Sequence, residues 1–191
     1  MILTGYHGTH KSSVNEILTN EFTSNIRNDH WLGQGIYFFD DLELAKWWAE
    51  KKFNSSSAAV ISVTITTESD KILNLDTRIG LNTFIKELKR ILSDITVSIK
   101  FKAFDYSDRM KNFCLAIDLV KRCLNLDVII MTFSKKDPTY GEFNLWDFEK
   151  DYFLLLPSIA YKETQICVKD NSVISTRICC FSASNERKRT W

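Results

Sequence analysis

Two stretches hold the residue types that could do chemistry, Tyr6-His7-Gly8-Thr9 and, further on, Gly33-Gln34-Gly35-Ile36-Tyr37-Phe38-Phe39-Asp40. Glycines before an aromatic run let the backbone turn tightly, or approach a ligand where a β-carbon would stand in the way. Tyr37 adds a flat face with a polar tip, suited to stacking on a planar ring. The chain has only three histidines, and one of them directly precedes Gly8-Thr9. Taken alone, the Gly33–Asp40 segment also fits an ordinary buried strand beside a glycine turn.

The order of residues from Tyr6 to Ala49 resembles the first half of the poly(ADP-ribose) polymerase and diphtheria-toxin branch of the ADP-ribosyltransferases. That branch opens on a strand ending in His-Gly-Ser/Thr and a short helix. It continues into Gly-x-Gly-Ile/Phe-Tyr-Phe and a helix of small and aromatic residues. The counterparts here are His7-Gly8-Thr9, Val14 to Leu18, Gly33 to Phe39, and Ala45-Lys46-Trp47-Trp48-Ala49. The resemblance implies an NAD pocket. His7 would bond the adenine-side ribose and Gly8 the carboxamide of nicotinamide, with Thr9 in the Ser/Thr place. Tyr37 would stack on the nicotinamide, with Trp47 as the second stacking ring and Trp48 as its alternative.

Members of the branch often carry Glu-x-x-Val-x-Asp on a late strand, and the matching segment is Gln165-Ile166-Cys167-Val168-Lys169-Asp170. Gln165 stands where the resemblance expects a glutamate binding the 2′-hydroxyl of the reacting ribose. An amide can bond a hydroxyl but cannot act as a carboxylate base. Glu163 lies two residues earlier, hence on the same strand face, where it could supply the missing charge. Its other reading is an exposed strand-end charge.

Breaking the bond between nicotinamide and ribose passes through an oxocarbenium-like transition state, as glycoside hydrolysis does. The protein must orient the dinucleotide and stabilise charge developing on the ribose. The resemblance thus implies a mono-ADP-ribosyltransferase with NAD as co-substrate and a macromolecular acceptor, either protein or RNA/DNA. It points to compact cytoplasmic bacterial or phage-defence toxins, with an antitoxin as a further partner. The substitution at Gln165 argues against polymer elongation and leaves a non-catalytic NAD-binding module as the competing class. Transfer of an RNA 2′-phosphate to NAD is a third option, lacking the extra pocket histidines and arginines it would need.

Composition sets few limits on this. A chain of 191 residues, 45% hydrophobic and 26% charged, suits one domain spanning 1–191. A formal net charge of +1 gives no global basic field for nucleic acid. The mixture of basic and aromatic residues at Arg27 to Trp31 and at Lys135, Lys136 and Tyr140, with the basic tail Arg187-Lys188-Arg189, keeps a local nucleic-acid surface open. Five cysteines, without a Cys-x-x-Cys pair, argue against a metal site and fit a reducing compartment. No signal peptide and no membrane-spanning run is evident.

The elements that must position these residues follow from periodicity. Met1 to Tyr6 reads as a strand delivering His7, and Ser13-Val14-Asn15-Glu16 as a capping box before a short helix. Asp40 or Asp41 should cap a helix over Leu42 to Lys52 whose Leu44, Trp47 and Trp48 share a face. Strands are expected at Ala58 to Ile65, Ile72 to Leu75, Asp127 to Phe133, Tyr152 to Leu156, Gln165 to Val168 and Ile174 to Phe181. Helical spacing runs from Leu81 to Leu92 and from about Ser107 to Leu124, with Ile95 to Phe101 readable as strand or helix. Strands at both ends with helices between them imply α+β. The resemblance sharpens this to a split antiparallel β-sheet core, helices packed around it and a helical insertion in the middle.

Overall fold

The computed structural model describes residues 1–23, 30–94, 109–134 and 162–183. The expectations at Arg27 and Asp29, at 95–101, at Lys135, Lys136 and Tyr140, at 152–156 and at 187–189 lie outside the described residues. In chain order the elements are β1 (Ile2–His10), α1 (Val14–Thr19), β2 (Ile36–Phe39), α2 (Leu42–Phe53), β3 (Ala58–Thr66) and β4 (Ile72–Asn74). There follow α3 (Arg78–Asp94), α4 (Arg109–Cys123), β5 (Val128–Ser134), β6 (Lys162–Val168) and β7 (Ile174–Ser182).

The strands form one sheet in the order β4-β5-β6-β2-β1-β3-β7, antiparallel throughout except for the parallel β4/β5 pair. The chain is α+β, with α3 and α4 inserted between β4 and β5. The sheet is strongly joined within two halves and weakly between them. β1 pairs with β3 from Ile2↔Thr66 to His10↔Ala58, whereas β1 and β2 share the single pair Tyr6↔Phe39. The seam between β1 and β2 is therefore where a groove can open without breaking a ladder.

Strand alternation sorts the apolar residues onto two surfaces. On one, Phe38, Ile61, Val63, Ile65, Ile166 and Val168 form a cluster closed by Phe22 and Ile17. The opposite surface is covered in two places. Leu44 and Ala45 of α2 pack on Phe39 and Val60. Farther along, Leu88 of α3 and Ile117 and Val120 of α4 pack with Ile129 and Cys167. No helix among the described residues is long and apolar enough to cross a membrane.

Two local details differ from the sequence expectation. β1 runs on through His7 to His10, because β3 stays in register with it that far. Ser13 makes no side-chain cap bond, so no capping box forms; instead His10 Nδ1 accepts from Ser12 N at 3.2 Å and starts a short 3-10 turn. Of the two aspartates before α2, Asp41 is the cap, its Oδ1 accepting from Leu44 N at 2.7 Å.

Candidate functional site

The strands bring the predicted residues to neighbouring positions. Tyr6 faces Phe39, Phe39 faces Gln165, and Gln165 faces Met131, a single row across β1, β2, β6 and β5. Residues near both ends of the chain thus meet at the seam. Paired residues in antiparallel strands point the same way, and neighbours in one strand point opposite ways. Gly8, Tyr37, Phe39, Glu163 and Gln165 therefore lie on the surface that α2 and α4 partly cover. His7 and Thr9 lie on the other. A single crevice holding His7 and Gln165 side by side, as the sequence leads one to expect, is not what the pleat allows; only something passing through the seam reaches both.

His7 sits in that seam. Its Nδ1 lies 2.8 Å from the carbonyl oxygen of Tyr37. A carbonyl only accepts, so Nδ1 carries the proton, and in the neutral ring Nε2 keeps its lone pair. Burial holds the ring below the ordinary histidine value of 6.5, opposed by that hydrogen bond. The ring meets Phe22 edge-on at 5.1 Å and Phe38 at 5.8 Å between centroids. His7 thus offers an acceptor nitrogen from an otherwise aromatic setting. Thr9, two residues on, is buried on the same side.

Gly8 is needed for packing on the other side. A β-carbon there would lie 2.7 Å from the carbonyl oxygen of Ala45 and 3.0 Å from the Trp48 ring. The missing side chain lets α2 rest directly on β1. The indole beside Gly8 is accordingly Trp48, whereas Trp47, the first choice from the sequence, is 41% exposed. Helical geometry explains it: Trp48 lies one turn from Leu44 and Ala45, both buried, on the inward stripe, and Trp47 falls to its edge. Trp48 packs with Phe39 and Phe53 and carries the Lys52 ammonium over its ring at 5.1 Å.

Tyr37 is held at its hydroxyl, which accepts from Leu32 N at 2.8 Å and donates to Gly33 O at 2.7 Å. Its ring meets His30 edge-on at 4.9 Å. Burial is the main reason its phenol is pushed far above the usual range, so it stays protonated. The loop it grips turns at Gly33, whose φ of 76° favours glycine.

Sequence reasoning missed what holds this loop from below. Asp118 and Lys121 of α4 form an ion pair at 3.6 Å, with side chains 15% and 7% exposed. Asp118 Oδ1 accepts from Gln34 N at 2.8 Å, and Lys121 Nζ donates to Gln34 O. Cys167 lies alongside, its thiol pushed up to about 11, chiefly by burial. The signal was present: a carboxylate and an ammonium three residues apart, flanking Val120 and following Ile117, on a helix with an apolar stripe.

Gln165 and Glu163 share a face as their spacing predicts. The amide Nε2 of Gln165 donates to Glu163 Oε1 at 2.7 Å, and Glu163 is buried, not the exposed strand-end charge it could have been. That bond uses the NH₂ end of the Gln165 amide and leaves its carbonyl oxygen as the acceptor end. Among the described residues no group of three histidine, cysteine, aspartate or glutamate side chains is placed to hold a metal ion.

No family model matches the chain, and no solved structure matches it. It is 25% identical over 190 residues to an uncharacterized protein of Methanocaldococcus jannaschii, covering 90% of this chain and 84% of that one. The two are similar over nearly their whole lengths, and that protein's name assigns no activity.

Proposed function

We propose that this chain is a mono-ADP-ribosyltransferase, moving ADP-ribose from NAD to a macromolecular acceptor with release of nicotinamide, and that it acts as a cytoplasmic toxin. The observation that carries this reading is the meeting of the His7-Gly8, Gly33–Phe39 and Glu163–Gln165 segments at one seam, from three separate parts of the chain. NAD would lie in the seam, which the His7–Tyr37 bond now spans and which would have to part there to admit it. Its nicotinamide and reacting ribose would lie on the side of Tyr37, Trp48 and Gln165, and its adenine-side ribose would donate a hydroxyl to Nε2 of His7. The Gln165 carbonyl would accept from the 2′-hydroxyl of the reacting ribose. Glu163, bonded to the same amide, would place a negative charge behind the developing cation.

Incubation with cell lysate and labelled NAD tests the reading. The intact chain should transfer label, while His7→Ala and Gln165→Ala should reduce transfer by on the order of a hundredfold or more. Label removed by nuclease but not by protease identifies RNA or DNA as the acceptor, and the converse identifies protein. Full labelling by Gln165→Ala would take Gln165 out of the site. A binding module is the second reading, favoured by the amide at position 165. It predicts NAD binding with no nicotinamide released.

A further inference from the structure

On the side of the sheet where His7 emerges, Arg177 of β7 stands opposite Val63, in the row that continues to Gly5 of β1. Its Nη2 donates to Asn171 Oδ1 at 3.1 Å, and its guanidinium carbon lies 5.7 Å from the centre of the Phe22 ring. Its Nε is sealed from solvent, and among the described residues it has no hydrogen-bond partner and Arg177 forms no ion pair. Guanidinium is always charged, and here its Nε is withdrawn from water while the rest of the group stays partly exposed.

The surroundings are built. Asn171 accepts from Phe22 N at 3.0 Å and donates to Phe22 O at 2.8 Å, so one amide fixes both the Phe22 backbone and the guanidinium. Phe22 in turn meets His7, so Arg177 and His7 both contact one buried ring.

We infer that Arg177 is an anion subsite that takes a phosphate of the pyrophosphate bridge of a nucleotide whose ribose is held at His7. The identity of that nucleotide as NAD rests on the function proposed above; the anion subsite itself does not. A fork of N–H donors suits a phosphate, and Asn171 fixes the fork in advance.

Calorimetric titration of the full chain with sodium pyrophosphate, NAD and nicotinamide riboside tests this. Arg177→Met should weaken pyrophosphate and NAD at least tenfold and leave nicotinamide riboside, which has no phosphate, unchanged. Should that variant fail to fold, Arg177→Gln, which keeps a donor toward Asn171, is read in its place. In the unaltered protein, pyrophosphate should slow modification of Arg177 by phenylglyoxal, followed by mass spectrometry. Wild-type affinity for pyrophosphate in the variants, or unslowed modification, overturns the subsite. Arg177-dependent binding of pyrophosphate without binding of NAD keeps the subsite and sinks the transferase reading. NAD binding that ignores Arg177 does the reverse, and a chain that binds neither overturns both.

Discussion

At the residue scale, His7 is a side chain whose protonation the fold biases near neutral pH. The fold favours its neutral form, since burial pulls its pKa below 6.5. Above that value both folded and unfolded rings are neutral and no penalty arises. As pH falls through it, the unfolded chain binds a proton that the folded ring resists, so stability is lost on the acid side. Between about pH 7 and about pH 5.5 the denaturant midpoint should fall more steeply for the intact chain than for His7→Gln, whose amide can still donate to Tyr37 O. Parallel slopes would show that His7 is not the titrating group. His7 itself was legible from the sequence because it precedes Gly8-Thr9. Its facing relative to Gln165 was not, because that is set by the register between strands far apart in the chain.

Among the elements, the four described helices were legible because each buries one stripe, and the central strands because burial on both faces makes them continuous apolar runs. Ser13 shows where such signals mislead: a capping-box pattern was present, but Ser13 already has helical backbone angles at the end of the Lys11–Ser13 3-10 turn, not the extended ones of a capping residue. Trp47 and Trp48 show another limit, because adjacent indoles are ranked only by the packing of α2 on Gly8. Least legible was the support of α4 beneath the Gly33–Gly35 loop, where Asp118 and Lys121 come together with Gln34 from far along the chain. Removing one member of a buried, hydrogen-bonded ion pair leaves the other uncompensated. Lys121→Met should therefore cost about 3 kcal/mol or more in equilibrium unfolding. A loss below about 1 kcal/mol would mean that the pair behaves as an exposed one.

For the whole molecule, the α+β layout follows from strands at both termini enclosing a helical insertion. Which strands meet at the seam does not follow, because pairing across long stretches of chain leaves no local trace. Expression in a bacterium tests the toxin reading as a property of the entire chain: the intact protein should arrest growth, and His7→Ala should relieve the arrest at equal protein level. Unimpeded growth with the intact chain would remove the toxin reading while leaving transferase activity to the labelling experiment.

Beyond Tyr6↔Phe39 the backbones of β1 and β2 share no further rung, and an imidazole N–H takes up the Tyr37 carbonyl in its place. A surrogate rung of this kind can be let go without unzipping a strand. Amide hydrogens flanking the seam should consequently exchange sooner than those of the β1/β3 ladder, and a molecule lodged between the half-sheets should slow them.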